Sequence, residues 1–263
     1  SQNYIGRTGD TYNFLTDEEQ DIQREIRNTA VDTSSIVERI GQMIFGDIYT
    51  TKKYRYGKYD FDFEKMVDGV VVGAPTGGMR LKFLTIATDA SQKSELSLMS
   101  SSIGQAIGVF SDSTYYESLE GAMRIRKYVK QRNINSLPPS IRTIISEQQD
   151  EATVYEQSAM DELKKAIVSA DYYVDGEKLS LTGTDTKVKI DAAMEYLVSH
   201  VYSDLELIDT SMDSDESILF ILAGNGTRIT GLPANSGAAA KIEEHLEMQY
   251  RKNLPTSMAD IQS

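Results

Sequence analysis

Five cations fall within nine residues, at Arg124, Arg126, Lys127, Lys130 and Arg132, with Tyr128 among them. On a helix Arg126 and Lys130 share a face and Lys127 adjoins it, an arrangement suited to an acidic partner or a nucleic-acid backbone. The same residues would also serve as a solvated helix end, where cations complement the helix dipole. Tyr49, Tyr54, Tyr56 and Tyr59 offer rings for stacking on bases, although packing within a sheet is the expectation. Carboxylates at Asp60, Asp62 and Glu64 alternate along one strand face at about 7 Å. A shared metal would need inward-reaching side chains and further ligands, so a solvent-facing strand is expected. Asp209, Asp213, Asp215 and Glu216 miss the spacing and central glycine of a calcium loop and read as an acidic linker. His200 and His245 stand apart from any serine or acid at triad spacing. Gly224-Asn225-Gly226-Thr227-Arg228-Ile229-Thr230-Gly231 runs into Leu232-Pro233, where a phosphate loop requires Lys and then Ser or Thr. Gly73-Ala74-Pro75-Thr76-Gly77-Gly78 has no such lysine either and reads as a strand connection. No constellation specifies a reaction. Catalytic, cofactor-binding and metal-binding residues are therefore all expected to be none, with the basic cluster as the candidate anion or partner contact.

Alternating helical and strand periods place these side chains. Tyr4-Ile5 and Tyr12-Asn13-Phe14 flank a turn at Thr8-Gly9-Asp10, and Thr16 with Glu19 forms a capping box that starts a helix carrying Ile22 and Ile26. A second helix from Thr33 carries Ile36, Val37, Ile40, Met43 and Ile44 on one face. Period two takes over from Ile48 to Phe63, giving a hairpin around Gly57-Lys58 with an aromatic and a wet face. Val70 to Val72, Met79 to Ile86 and Ala106 to Phe110 predict further strands, and Thr114 to Arg132 a helix. Pro138-Pro139 ends that segment. Neither glycine nor proline interrupts Ser140 to Ala170, and apolar residues recur there at steps of three and four. Such a helix spans roughly 45 Å and is expected to be a strut or a coiled-coil arm. Asp175-Gly176 predicts a tight type I′ hairpin, followed by a helix over 186–207, an apolar run at Ile218 to Ala223 and a last helix over 238–252. The fold class is therefore α+β: a small mixed or antiparallel sheet with helices, followed by a long-helix and hairpin segment. Boundaries are expected at 1–136, 137–208 and 209–263.

With 40% hydrophobic content, 263 residues suffice for substantial cores. The formal charge of −13 and pI near 4.7 oppose general attraction to nucleic acid or anionic lipid. Without cysteine there are no disulfides, thiolate zinc sites or cysteine nucleophiles. No apolar run approaches the roughly 20 residues needed to cross a bilayer, so a cytoplasmic location without membrane contact is expected. The chain starts without Met in a strand-like segment, as an excised internal fragment would.

Gly9-Asp10-Thr11-Tyr12-Asn13-Phe14-Leu15-Thr16-Asp17-Glu18-Glu19-Gln20-Asp21-Ile22, Leu137-Pro138-Pro139-Ser140-Ile141-Arg142, Tyr172-Tyr173-Val174-Asp175-Gly176 and Leu197-Val198-Ser199-His200-Val201-Tyr202 occur in this order. Together they resemble the BrxC (PglY-like) P-loop proteins of BREX phage-exclusion systems. That family's Walker A residues have no counterpart here, so ATP and magnesium are expected only in an ATPase domain elsewhere in the parent protein. The resemblance implies an internal region of a bacterial defence protein that acts against phage DNA replication alongside a methyltransferase and PglZ-type components. No catalytic residue carries over. The expected role is a non-catalytic coupling or assembly module, contacting other domains of its own polypeptide, other BREX components or a second copy of itself. The alternative is a nucleic-acid-contacting module using the basic face over 124–132, and a third reading is a metal-dependent nuclease through Asp60, Asp62 and Glu64.

Overall fold

The computed structural model describes residues 5–8, 11–14, 16–208 and 235–255. The chain divides into two compact units, Ser1–Val198 and Ser199–Ser263. In the first, strands β1 (Ile5–Thr8) and β2 (Thr11–Phe14) pair antiparallel as a separate hairpin. Helix α1 (Asp17–Asn28) then starts on the expected capping box: the Glu19 amide donates to Thr16 Oγ1 at 3.2 Å, and the Thr16 amide to Glu19 Oε2 at 2.6 Å. Helix α2 (Thr33–Gln42) buries Ile36, Val37 and Ile40 and runs into a π-helical turn, Met43–Ile48.

The main sheet is seven-stranded and mixed. Its strands are β3 (Lys53–Tyr56), β4 (Tyr59–Val67), the two-residue β5 (Val70–Val71), β6 (Met79–Leu84), β7 (Gln105–Val109), β8 (Asp171–Val174) and β9 (Glu177–Leu179). Six of them form a continuous path, β3-β4-β6-β7-β8-β9, and β5 pairs with β4. The centre, β4-β6-β7, is parallel and the other pairings are antiparallel. Alternation along the strands explains the two faces. Phe63, Val67, Met79, Leu81, Phe83, Ala106, Tyr172 and Val174 share one face, and all are buried. On the other face Leu84, Ile107 and Tyr173 cluster with Leu98. Leu98 belongs to α3 (Glu95–Ser101), a short helix that the sequence reading did not anticipate. Seven residues give too few turns for a visible period.

Helix α4 (Thr114–Lys130) is followed by α5 (Pro139–Ser169), with Pro139 in its first turn, where a missing N–H is harmless. The long helix expected to be a strut or a coiled-coil arm lies along α4, and its Ile145 and Ala152 share a core with Ala122, Ile125, Tyr128 and Val129. Buried Ala152, Ala159 and Ala166 recur every seventh residue, and small side chains on one stripe permit close helix approach. Residue 137, the expected boundary, lies within the first unit, because α5 packs on α4 and β8 completes the sheet beside β7. The turn joining β8 to β9 has φ of 47° at Asp175 and 86° at Gly176, as the Asp-Gly signal requires. Helix α6 (Thr186–Val201) buries Ile190, Ala193, Met194, Leu197 and Val198.

Of the four tyrosines expected to pack in the sheet, Tyr49 and Tyr54 are buried, whereas Tyr56 and Tyr59 are half-buried. Tyr49 donates to Asp191 Oδ1 at 2.8 Å, and Tyr54 to the Asp191 carbonyl at 3.2 Å, fastening β3 and the segment before it to α6. Burial, reinforced by the charges of Glu195 and Asp191, pushes the Tyr54 phenol up to about 12 from 10.0, and burial raises Tyr49 and Tyr172 as well. Above pH 10 the unfolded chain releases phenolic protons that the folded chain keeps, so stability falls as pH rises. Urea midpoints are accordingly expected to be level in this respect up to about pH 10 and to drop from about pH 10 to 12. Phenolate absorbance should rise together with unfolding rather than before it.

In the second unit a 3-10 turn, Leu205–Leu207, precedes helix α7 (Ser236–Arg251). A Cβ on Gly237 would stand 3.1 Å from Leu207 Cδ2, so the small residue admits that contact. The acidic stretch Asp209 to Glu216, the run Ile218 to Ala223 and the loop Gly224 to Gly231 lie outside the described residues.

Candidate interaction site on helix α4

Helix α4 faces the interior through Tyr115, Leu119, Ala122, Ile125, Tyr128 and Val129, at steps of three and four with one doubled position. Ahead of its first turn, Asp112 accepts from the Thr114 amide and hydroxyl, each at 2.9 Å. Those hydrogen bonds hold the Asp112 carboxyl below its ordinary range.

The basic side chains emerge from the flanks of this helix and turn toward two neighbours. Arg124 donates to the Arg27 carbonyl at the end of α1 and pairs with Glu120 at 2.8 Å. Lys127 Nζ donates to the Ala30 carbonyl at 2.7 Å. Arg132 pairs with Glu25 of α1 while its guanidinium lies 4.4 Å from the centre of the Tyr128 ring. Tyr128 also donates to Glu25 Oε2, at 2.7 Å. Burial and that hydrogen bond push the phenol up to about 12. Arg126 points the other way, to Thr153 Oγ1 at 2.9 Å and Glu156 Oε2 at 3.3 Å on α5. Lys130 is exposed. Four of the five cations named from sequence are thus brought together as ties between α4 and the helices beside it. Sequence reasoning missed Glu25, Arg27 and Ala30 as their counterparts. Glu25 adjoins the buried Ile26 and stands one turn after Ile22, a signal readable only once α1 is known to lie on α4.

The strand carboxylates are separated by cations of their own. Asp60 pairs with Arg55 at 3.3 Å and Asp62 with Lys53 at 3.1 Å, both across the β3-β4 hairpin. Glu64 is not on a solvated face as expected: it is 8% exposed and pairs with Arg80 at 2.6 Å. The parallel register of β4 with β6 places those two residues side by side. Among the described residues no group of three or more His, Cys, Asp or Glu is gathered as a metal site would require. His200 is an exposed residue of α6 beside Ser199, and His245 lies on α7 beside Gln249. The loop Gly73–Gly78 joins β5 to β6, with positive φ at Gly73 and Gly78. It opens no helix, so it presents no helix N-terminal amides to a phosphate.

A protein-family model described as "BREX ATP-binding protein BrxC 4th domain with six-stranded beta sheet" matches residues 29–197. The chain belongs to the BrxC family. As a BrxC domain it is part of the BREX antiviral defence system; that description names a six-stranded sheet, and six of the seven strands here form one continuous path. No solved structure matches the chain. ATP is the ligand that the BrxC description names; the loop Gly73–Gly78 has no lysine and leads into a strand, so it lacks the phosphate-loop pattern. No helix among the described residues is long and apolar enough to cross a membrane. Helix α1 precedes the matched BrxC residues, whereas α4 and α5 lie within them. Arg124 and Arg132 therefore join the matched domain to the segment before it, whereas Lys127 and Arg126 bind residues within the match.

Proposed function

We propose that this BrxC domain is a non-catalytic coupling module of a BREX defence ATPase, assembling neighbouring domains of its own polypeptide and other BREX components around a rigid α4-α5 pair. The observation that carries this reading is the direction of the basic side chains: Arg124 and Arg132 hold α1, Lys127 holds the Ala30 carbonyl just past its end, and Arg126 holds α5. A displacement of α1 would thereby be passed to α4, and from α4 through a shared core to α5. Apolar packing makes that transfer stiff, because close-packed interiors deform little. ATP and Mg²⁺ belong, on this reading, to another part of the parent protein, and the module acts in the cytoplasm.

The test is hydrolysis and retardation by the isolated 263-residue chain. With ATP and Mg²⁺ it is expected to release phosphate at the buffer rate, and an increase that scales with protein concentration would end the coupling reading. In the same preparation duplex DNA is expected to migrate unretarded even at low salt. Salt-dependent retardation abolished by Arg126→Glu with Lys130→Glu would instead make the basic face a nucleic-acid contact.

A further inference from the structure

Helix α1 is held by a short apolar stripe and a set of polar contacts. Ile22 and Ile26, one turn apart, are its buried side chains, and they enter the core formed by Ala122, Ile125, Tyr128 and Val129 of α4 with Ile145 and Ala152 of α5. The remaining attachments are polar and sit at the rim. Glu25 is gripped by Tyr128 and Arg132, and the Arg27 and Ala30 carbonyls by Arg124 and Lys127. Carbonyls at a helix C-terminus carry the negative end of the dipole, so cations above them form an oriented clamp. Beneath α1 lies an apolar groove between α4 and α5, edged by these cations. The helix seated in it is acidic, with Asp17, Glu18 and Glu19 in its first turn and Asp21 and Glu25 beyond.

We propose that the α4-α5 groove is a docking site for acidic amphipathic helices, occupied in cis by α1 and open to exchange with a helix of the same chemistry carried by a partner. The recognition elements follow from the seated helix. The incoming helix has two β-branched or leucine-like side chains at i and i+4, a carboxylate at i+3 to meet Tyr128 and Arg132, and terminal carbonyls reaching Arg124 and Lys127. Three features favour exchange over permanent packing. The buried stripe is only two residues long, the clamp consists of solvent-accessible charges that salt weakens, and α1 lies outside the residues matched as the BrxC domain. The chain's charge of −13 does not oppose the docking of an acidic helix here, because the groove rim presents cations locally. This inference deepens the coupling reading by giving the joint a ligand. The two fail separately, since phosphate release by the isolated chain would not touch the groove and an empty groove would not create an ATPase.

The probe is a fluorescein-labelled peptide of residues 16–30, followed by fluorescence anisotropy against the full chain. In the unaltered chain α1 competes, so the apparent affinity is reduced by the fraction of molecules with an open groove. Ile22→Asp with Ile26→Asp in the chain removes the competitor and is expected to tighten peptide binding by about tenfold or more. Glu25→Arg in the chain should have a smaller effect of the same sign. Binding should weaken as salt rises from about 50 to about 500 mM, and a peptide carrying the two aspartates should not bind. Folding of both chain variants is read in parallel by circular dichroism and urea titration. A folded variant that binds the peptide no more tightly than the unaltered chain overturns the proposal. Loss of cooperative folding in both variants overturns it too, because α1 would then be an inseparable part of the core rather than an exchangeable occupant.

Discussion

Gly108→Ala is expected to destabilise the domain by about 1–3 kcal/mol, the range for added volume in a packed core, although alanine is the smallest side chain that could be added. A Cβ at that position would lie 2.7 Å from both Cδ1 and Cε1 of Phe83 and 3.4 Å from Cε1 of Tyr172. The Phe83 ring has nowhere to retreat. It stacks on Phe110 with centroids 5.2 Å apart and planes at 20°, meets Tyr172 edge-on at 6.5 Å, and is backed by Phe45 at 6.0 Å. Phe83 and Gly108 are register partners on adjacent parallel strands, so the glycine leaves the space into which the ring folds. Phe83→Ala empties that space and should cost about 3–5 kcal/mol, which lowers the melting temperature by roughly 6–20 °C for a domain of this size. Phe83→Leu combined with Gly108→Ala should cost less than the sum of the two single changes, since the shorter side chain gives way to the new methyl. Urea titrations of the single and double variants decide this. Strictly additive costs would mean that the ring and the glycine do not share one volume.

Much of this core was legible in the sequence because its elements are long or strongly periodic. The stripe of α2, the alternating aromatics of β3 and β4, the Asp175-Gly176 turn and the unbroken run of α5 each announce themselves through a spacing that local geometry imposes. What was not legible depends on contacts between distant segments. The sequence shows α5 as uninterrupted but does not show which helix it lies along, so a strut and a coiled-coil arm were equally natural readings. Glu64 follows the pattern of a wet strand face, and only its parallel register with β6 turns it inward against Arg80. The basic cluster was visible as charge, whereas its use depends on Glu25 and two backbone carbonyls about a hundred residues away in sequence. Composition registers a cation but not the direction in which it points. The same limit hid Asp68, whose side chain joins two strands that the sequence shows only as separate apolar runs.

Asp68→Ala is expected to be the most damaging substitution of a polar residue in the domain. Asp68 follows the last residue of β4 in the left-handed region, with φ of 47°, and Gly69 continues the turn at 88°. Its amide donates to the Phe83 carbonyl at 3.0 Å, which sets the side chain beside the end of β6. There Oδ1 accepts from the Thr85 amide at 2.6 Å and from the Thr88 hydroxyl, and Oδ2 accepts from the Thr85 hydroxyl. Thr85 is fully buried, so alanine at 68 would leave its N–H and O–H without these acceptors and without water. Alanine also tolerates the left-handed conformation poorly. The combined cost is about 2–4 kcal/mol. Asparagine keeps one oxygen acceptor and accepts positive φ readily, so Asp68→Asn should cost only about 1–2 kcal/mol. Asp68→Gly removes the conformational strain but not the unsatisfied donors, and should fall between the two. This order, Asn mildest and Ala worst, separates the clamp from the turn: if glycine proved as mild as asparagine, backbone strain alone would explain the site. A second readout reaches α4. Burial raises the Tyr115 phenol, and the Asp68 charge raises it further, so every substitution that removes the carboxylate should let Tyr115 ionise at lower pH. The uncharged Asp68→Asn should shift that titration as fully as Asp68→Ala while leaving most of the stability in place. A tyrosine titration that moved only in proportion to lost stability would instead place Asp68 too far from Tyr115 to act on it, and would confine its influence to the ends of β4 and β6.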